Sequence, residues 1–183
     1  DLDLDDITIL DLGCGEGIHS MNILSKIKSN YKYFGFDYSK CAINLASDYN
    51  GSNRFYFNGD VNNIPIASDS IDVIIDFLSP YSESEVKRVL KKGGIFIKIA
   101  PSSNYLLELR EASGLGKYQK QQEIIDNLGK YFKDIVTENY QRTFKIEKDD
   151  IENLIGMTPL KLKTNNLKIE QITIDLNVYK MAK

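Results

Sequence analysis

A glycine-rich segment directly after the first apolar run is the feature that most constrains the fold of this chain. The run Ile7–Leu12 predicts a buried strand, and the segment Asp11–Gly17 (DLGCGEG) predicts a tight loop at its carboxyl end. Apolar residues at helical spacing continue over 18–28 and predict a helix. This order leaves free backbone N–H groups at the helix start, where glycines let a ligand approach closely.

Strand and helix patterns alternate through the first hundred residues. Further strands are predicted at Tyr31–Phe36, Arg54–Phe57, Ile71–Leu78 and Ile95–Ala100. Ser39 is expected to cap the helix after the second strand, and Gly93 and Gly94 are expected to stop a helix over Ser82–Leu90. Five successive strand-and-helix units predict an α/β fold, in which helices cover both faces of a parallel sheet.

The remainder of the chain is less regular. Helices are predicted at Tyr105–Ala112, Glu123–Leu128 and Asp149–Ile155, and a short strand at Thr143–Ile146. Alternating apolar residues over Lys168–Lys180 predict a long final strand that can form a hairpin. No repeat, low-complexity tract or linker interrupts the sequence, which predicts one domain over 1–183.

Composition narrows the class of protein. The 183 residues carry 23 Lys and Arg against 26 Asp and Glu, which is typical of one ordinary soluble domain. Cys14 and Cys41 lack metal-ligand spacing, so we expect free thiols in a reducing, cytoplasmic location and no metal site. No apolar run is long enough to span a bilayer, so no membrane partner is expected. The chain begins at Asp1 instead of Met, which predicts a fragment trimmed at its N-terminus.

The glycine loop does not have the spacing of a dinucleotide site, because Ile18 occupies the place of the third glycine in G-x-G-x-x-G. The observed D-x-G-x-G-x-G resembles the first motif of class I methyltransferases, which bind S-adenosylmethionine. The resemblance implies S-adenosylmethionine as cofactor, with contacts from Asp11, Gly13, Cys14, Gly15 and Gly17. The alternative is a glycine-rich turn without a ligand.

Acidic residues end the second and third predicted strands, at the same sheet edge as the glycine loop. Asp37 can accept two hydrogen bonds from a ribose diol, and the ring of Tyr38 can cover one adenine face. In class I methyltransferases, an acid at the position of Asp60 binds the adenine amino group, and a neighbouring backbone N–H, here of Val61, meets the ring. Leu78, at the end of the fourth strand, is also assigned to the cofactor site. The alternatives are a helix-capping acid at Asp37 and a turn residue at Asp60.

Six sequence strings narrow the resemblance to one family. Over about 10–160 the chain contains, in order, LDLGCGEG, FGFDYSKCAINLA, NIPIASDSIDVII, SPYSESEVKRVLKKGG, PSSNYLLEL and IGMTPL. These strings resemble the 23S ribosomal RNA (guanine-N1)-methyltransferases. The resemblance implies a homodimeric enzyme that methylates N1 of a guanine in a ribosomal RNA hairpin. It also implies a Rossmann-like, doubly wound sheet that is mostly parallel with an antiparallel C-terminal strand.

Three features depart from the family pattern. The N-terminal zinc-binding module of the family is not in this chain, Tyr105 stands where the family often has histidine, and the net charge is −3, whereas RNA binders usually show a basic face. The basic residues are concentrated in 81–183, which hold 18 basic and 14 acidic side chains against 5 and 12 in 1–80. Such an asymmetry can mark a face that meets a polyanion.

The segment after the fourth predicted strand is where this fold presents its substrate. Ser79, Tyr81 and His19, the only histidine, are the candidates for catalysis, and Tyr105 is a further one. Pro80 rigidifies the turn, and Tyr81 can stack on a flat base. The alternatives are a plain strand-ending turn and an exposed histidine without a role. Methylation of guanine N1 also requires removal of a proton, and the sequence identifies no base for it.

Three functions are compatible with these patterns. The first is methyl transfer from S-adenosylmethionine to guanine N1 of 23S ribosomal RNA. The second is methyl transfer to a small molecule of the quinone or sterol type, because the core motifs also resemble such enzymes. The third is a non-catalytic domain that binds the cofactor or a partner. A deep apolar pocket over the Ser79-Pro80 turn would favour the second function, and an open basic surface would disfavour it.

Overall fold

The computed structural model describes residues 6–158, 160 and 169–183. Within these residues, the strands are β1 (Ile7–Leu12), β2 (Tyr31–Asp37), β3 (Arg54–Asn58), β4 (Ile71–Phe77), β5 (Leu90–Pro101), β6 (Lys133–Lys145) and β7 (Gln171–Ala182). The helices are α1 (Ile18–Leu24), α2 (Lys40–Ala46), α3 (Glu83–Val89), α4 (Leu107–Ala112), α5 (Gln121–Gly129) and α6 (Lys148–Gly156), and a short 3-10 turn covers Ser47–Tyr49. None of the described helices is long and apolar enough to cross a membrane.

The strands form a mostly parallel sheet in the order β3-β2-β1-β4-β5-β7-β6. β1 pairs in parallel with β2 on one side and β4 on the other, and β2–β3 and β4–β5 are parallel too. The N–H of Gly93 donates to the carbonyl of Lys183, and the N–H of Lys183 donates to the carbonyl of Gly94. At the other end of β5, the N–H of Ser102 donates to the carbonyl of Asp175, so β5 and β7 run antiparallel. The predicted α/β fold, with a mostly parallel sheet and an antiparallel C-terminal strand, is confirmed, because β7 runs antiparallel to both of its neighbours, β5 and β6.

The chain direction across the sheet reverses between β1 and β4. From β1 the chain moves outward to β2 and β3, and it then returns to place β4 on the other side of β1. Helices that follow neighbouring strands therefore diverge at this point, and a crevice opens beyond the carboxyl ends of the strands. The switch point lies directly beside the glycine loop that ends β1.

The prediction that Gly93 and Gly94 stop a helix is wrong. α3 ends at Val89, and both glycines lie inside β5. Leu90 pairs with Ile71 and Ile95 pairs with Val73, so the residues between them form a bulge, in which Gly93 has a φ of +79°. A glycine favours a bulge for the same reason that it favours a helix end, because it adopts positive φ without steric cost.

The described residues between β3 and β4 contain no helix, so one of the five predicted strand-and-helix units is a strand without its helix. In place of a helix, the connection from β3 to β4 is held by side chains of α3. Glu85 accepts a hydrogen bond from the backbone N–H of Ile64, and Arg88 donates to the carbonyls of Ile64 and Ile66. Arg88 and Glu85 also pair with each other at 2.7 Å. These contacts fix the segment that carries Asp60.

The C-terminal elements differ in extent from their predictions. β6 covers Lys133–Lys145, well beyond the predicted strand Thr143–Ile146. Most of its side chains are exposed, so it lacks the alternation of apolar and polar residues by which a strand is recognised. α4, α5 and α6 confirm the three predicted helices within a few residues, and β7 confirms the final strand. Lys168, the first residue of the predicted final strand, and Pro159, in the string IGMTPL, lie outside the described residues.

The chain forms two compact units, each with its own apolar core. The first comprises Asp1–Ile99, Asn127–Val136 and Tyr179–Lys183, and the second comprises Ala100–Asp126 and Thr137–Val178. One core cluster of the first unit packs α1 and α2 on the sheet through buried residues that include Leu24, Tyr33, Ile43, Ala46 and Tyr56. The core of the second unit contains Leu106, Leu109, Ile151, Ile155 and Ile172.

Tyr33 lies in the core of the first unit, and its position requires a glycine at residue 35. Its ring is almost fully buried, and its hydroxyl donates a 2.9 Å hydrogen bond to Asp11 on β1. A Cβ on Gly35 would lie 2.7 Å from the Tyr33 hydroxyl and 2.9 Å from Cδ1 of Tyr56. Only glycine at position 35 therefore leaves room for this ring to reach Asp11.

Gly35→Ala is expected to lower the free energy of unfolding by about 1–3 kcal/mol, because the new methyl group displaces two packed tyrosine rings. Gly129→Ala is the matched control, since a Cβ there meets no atom within 4 Å, and its effect is expected to stay within about 0.5 kcal/mol. Urea denaturation followed by circular dichroism measures both. Equal stabilities of the two variants would contradict the packing described for Tyr33.

Candidate functional site

A cleft of about 430 Å³ lies at the carboxyl ends of the parallel strands. It is lined by Gly13, Phe36, Asp37, Tyr38, Asp60, Val61, Asn62, Ser79 and Pro80. These residues follow or end β1, β2, β3 and β4, so four strand ends contribute to one site. The volume is within the range of cofactor and small-ligand sites, about 300–1,000 Å³.

The glycine loop borders the cleft at Gly13, and its backbone is held to β2. The N–H groups of Gly13 and Cys14 both donate to the carbonyl of Phe36, at 2.9 and 3.0 Å. Gly13 has a φ of +68°, and a Cβ on it would lie 2.5 Å from Cβ of Ser79. Position 13 is therefore restricted to glycine twice over, by its conformation and by the close approach of the Ser79 turn.

Asp37 links the end of β2 to the glycine loop. Its Oδ2 accepts a 3.1 Å hydrogen bond from the N–H of Gly15, and its Oδ1 accepts one of 2.8 Å from the N–H of Ser39. Ser39 caps α2 by accepting from Ala42, which confirms its predicted role. Each carboxylate oxygen has two acceptor positions, so Asp37 retains capacity for a ligand at the cleft.

Asn58 is a site residue that the sequence analysis missed. Its side-chain amide donates to the carbonyls of Asp37 and Tyr38, at 2.9 and 2.8 Å, and so fixes the backbone that presents both side chains. The signal was available, because Asn58 ends β3 in direct register with Asp37. The ring of Tyr38 is 82% exposed and is free to cover a flat ligand.

Asp60 combines the two roles that the sequence left open. Its Oδ1 accepts hydrogen bonds from the backbone and the side chain of Asn62, at 2.8 and 3.1 Å, so it closes a turn. Asp60, Val61 and Asn62 nevertheless all line the cleft. The turn therefore places a carboxylate, an amide and backbone groups together at the cleft.

Five residues predicted to bind the cofactor are not among those lining the cleft: Asp11, Cys14, Gly15, Gly17 and Leu78. Cys14 is buried in the core, where burial raises the pKa of its thiol. Gly15 acts through its N–H on Asp37, and Gly17 is the N-cap of α1. Leu78 donates its N–H to the carbonyl of Ile99.

Asp11 holds the structure beneath the loop. It is 6% exposed, and its Oδ2 accepts hydrogen bonds from the hydroxyls of Ser20 on α1 and Tyr33 on β2. Burial raises the pKa of Asp11 to about 6, against the lowering effect of these hydrogen bonds. Through these two hydrogen bonds, Asp11 connects α1 to β1 and β2 directly below the glycine loop.

The structure brings one of the four catalytic candidates to the cleft, namely Ser79. Tyr81 packs against Phe96 with ring centroids 5.7 Å apart, and His19 is exposed and stacks on Phe77 at 5.3 Å. Tyr105 lies in the second unit, where it borders an apolar cavity of about 180 Å³. The Ser79-Pro80 turn is thus the candidate substrate side of the cleft.

A buried ion pair stands directly behind this turn. Asp76 of β4 and Lys98 of β5 are adjacent in register, and Lys98 Nζ lies 2.8 Å from Asp76 Oδ2. Burial raises the pKa of Asp76 to about 6, whereas Lys98 lowers it. The sequence analysis missed both residues, although charges inside two otherwise apolar strands, Asp72 and Asp76 in IDVIIDF and Lys98 in IFIKIAP, were the available signal.

The sheet order, the glycine loop and the acid-ended strands together define a class I S-adenosylmethionine-dependent methyltransferase domain. The chain belongs to the family described as methyltransferase domain, whose model matches residues 3–155. S-adenosylmethionine is the cofactor of this class.

Curated relatives resemble the chain over part of their length. The protein YxjB of Bacillus subtilis (strain 168), provisionally named a 23S rRNA (guanine-N(1)-)-methyltransferase, is 37% identical over 115 residues, which are 57% of this chain and 37% of the relative. The 23S rRNA (guanine(748)-N(1))-methyltransferase of Streptomyces fradiae is 22% identical over 153 residues, 82% of this chain and 54% of the relative. The chain thus matches about a third to a half of the length of these relatives.

Solved structures share the fold at low sequence identity. A provisionally named methyltransferase (BH2331) from Bacillus halodurans C-125 superposes with a TM-score of 0.70 at 16% identity, covering 98% of this chain and 94% of that one. Phosphoethanolamine N-methyltransferase 2 of Haemonchus contortus, in complex with phosphomonomethylethanolamine and S-adenosylhomocysteine, has a TM-score of 0.63 at 17% identity, with 98% and 49% coverage. At such identities the likeness concerns the fold.

Asp11→Asn keeps an acceptor oxygen for Ser20 and Tyr33 and removes the ionisable group. Because the pKa of Asp11 rises from 3.8 to about 6 on folding, its contribution to stability falls as the pH rises through this window. The unfolding free energy of the variant minus that of the native protein is therefore expected to increase over the same window, by at most about 3 kcal/mol. Urea denaturation at several pH values measures this difference, and a difference independent of pH would contradict the burial argument.

Proposed function

We propose that this protein transfers a methyl group from S-adenosylmethionine to N1 of a guanine in 23S ribosomal RNA. The observation that carries the proposal is the 37% identity to YxjB, joined by the lower identity to the Streptomyces fradiae enzyme that is named for the same nucleobase atom. The ordered strings of the sequence support the same substrate. The chain matches only part of these relatives, so the substrate is tested with the whole protein.

The residues of the cleft fit S-adenosylmethionine. Gly13 lines the cleft without a side chain, so a ligand can approach the loop backbone there, and Asp37 offers carboxylate oxygens to the ribose diol. Tyr38 covers the adenine face, and Asp60 and the backbone N–H of Val61 form hydrogen bonds with the edge of the adenine ring. All three residues line the same cleft as Gly13 and Asp37. Carboxylates suit this ligand further, because its sulfonium carries a positive charge.

When bound, the cofactor supplies a methyl group on a positively charged sulfur that is open to in-line attack. The residues of the chain orient the substrate relative to the methyl group and exclude water from the cleft. The Ser79-Pro80 turn borders the cleft beside Gly13, so it is placed to hold the guanine edge next to the methyl group. Alignment of the attacking nitrogen at about 3–3.5 Å from the methyl carbon and exclusion of water account for the main part of such a catalytic effect.

Asp37→Ala is expected to weaken binding of S-adenosylmethionine by about 1.5–3 kcal/mol, because charge-assisted hydrogen bonds to the ribose are lost. Isothermal titration calorimetry measures the dissociation constant. Asp48→Ala is the matched control, since Asp48 is an exposed acid on the 3-10 turn that does not line the cleft. Unchanged affinity in Asp37→Ala would remove Asp37 from the cofactor site.

The substrate is tested by transfer of a radiolabelled methyl group from S-adenosylmethionine by the whole protein. We expect label in 23S ribosomal RNA from cells that lack the enzyme, and 1-methylguanosine after nuclease digestion. Ribosomal RNA from cells that express the enzyme is the negative control, because its site is already methylated. A pool of quinones and sterols is assayed in parallel as the alternative substrate. Label in the small molecules and none in the RNA would replace this proposal by a small-molecule methyltransferase.

A further inference from the structure

The turn that follows β4 is fastened from below by the ion pair of Asp76 and Lys98. Asp76 is completely buried, and its Oδ1 accepts hydrogen bonds from the backbone N–H and the hydroxyl of Ser79, at 3.1 and 2.9 Å. Lys98 is 5% exposed, and its Nζ donates to the carbonyl of Ser79 at 2.7 Å. The N–H, the hydroxyl and the carbonyl of Ser79 are therefore all tied to this pair.

The same turn contains a strained residue. Leu78 has a φ of +57°, a conformation that is costly for a side chain branched at Cγ and that persists only where surrounding contacts impose it. A buried ion pair contributes little net stability, because desolvation of both charges offsets their attraction. The combination of a strained turn with a buried charge pair at the cleft indicates that Asp76 and Lys98 serve the position and chemistry of Ser79.

The hydroxyl of Ser79 is committed as a donor to groups on the protein side. Its Oγ lies 2.7 Å from the carbonyl of Leu12 and 2.9 Å from Asp76 Oδ1, and 3.4 Å from the carbonyl of Pro80. A hydroxyl has one proton to donate and two lone pairs. Ser79 Oγ can therefore accept a hydrogen bond from a ligand in the cleft. The N1–H group of guanine is a donor that fits this acceptor.

We propose that Ser79 and Asp76 form the proton-accepting pair for the attacking nitrogen, with Lys98 as the positioning residue that holds Asp76 against Ser79. This proposal rests on the proposed function for the identity of the nitrogen. Ser79 is the catalytic residue that contacts the substrate, and Asp76 receives the proton through it.

The transfer balances in atoms and charge. The N1–H bond of guanine breaks, its proton moves to Ser79 Oγ, and the Ser79 hydroxyl proton moves to Asp76 Oδ1. The electron pair left on N1 forms the bond to the methyl carbon, while the pair of the broken carbon–sulfur bond stays on sulfur. The carboxylate becomes a neutral acid as the sulfonium becomes a neutral thioether, so no net charge is created in the buried site.

The groups that face Asp76 make it a proton acceptor near neutral pH. Lys98 on β5 lowers its pKa, whereas burial, the larger effect, raises the pKa to about 6. The carboxylate of Asp11 on β1 and the phenol of Tyr81 beyond the turn also interact with it, and Tyr179 faces Tyr81. A base with a pKa close to the working pH is effective in general base catalysis.

The first experiment compares Ser79→Ala, Asp76→Asn/Lys98→Gln and the native protein in single-turnover methylation over a range of pH. The double variant removes both charges together, so that no unpaired ion remains buried. Ser82→Ala is the control, because the Ser82 hydroxyl contacts only the exposed Ser84 among the described residues. We expect a rate loss of about 10²–10⁴-fold in Ser79→Ala and in the double variant, and loss of the acidic limb of the pH profile.

The second measurement separates catalysis from cofactor binding. The dissociation constant of S-adenosylmethionine is expected to stay within about threefold of the native value in Ser79→Ala. A rate that is unchanged in this variant, or a rate loss matched by an equal loss of cofactor affinity, would overturn the proton-accepting role. A native protein that labels no RNA would instead refute the proposed substrate.

A third readout does not depend on any substrate. Carbon-13 NMR of the free protein follows the titration of the Asp76 carboxyl group. Because the hydrogen bond from Ser79 lowers the pKa of Asp76, we expect the titration to move to higher pH in Ser79→Ala. An identical titration in both proteins would show that Ser79 does not donate to Asp76, and the relay would then be excluded.

Discussion

The parallel pairing of β1 with both β2 and β4 is the constraint on which the rest of the structure depends. It places the glycine loop at the topological switch point, where helices that follow neighbouring strands diverge. It also brings Asp37 at the end of β2 and the Ser79 turn after β4 to either side of Gly13. Without this register the same residues would be separate strand ends with no common cleft.

Two buried carboxylates support the cleft from below without lining it. Asp11 fixes α1 to the sheet through Ser20 and Tyr33, and Asp76 fixes the Ser79 turn with Lys98. Both carry a raised pKa, because the core that positions them also desolvates them. Burial of each charge costs stability, and each carboxylate holds a segment beside the cleft through its hydrogen bonds.

Site residues were predictable where the residue type has one dominant structural role at its position in a strand or helix. Asp37 at a strand end and Ser39 at a helix start are in the predicted positions, because acids and hydroxyls at these points satisfy free N–H groups. Gly93 was assigned to a helix end but lies in a bulge, since positive φ serves both. Asp11 was predicted to contact the ligand. The structure adds its hydrogen bonds to Ser20 and Tyr33, which the sequence could not indicate because these partners lie on other elements.

The sequence by itself determined the class of fold, the glycine loop and the acids at two strand ends, because strand periodicity and glycine spacing are local properties of the chain. Only the tertiary structure decided which of these side chains face the cleft. It alone paired Asp76 with Lys98, 22 positions apart, and brought both to Ser79. The physical reason is that hydrogen-bond partners across parallel strands are set by register, and register emerges only when the whole sheet packs.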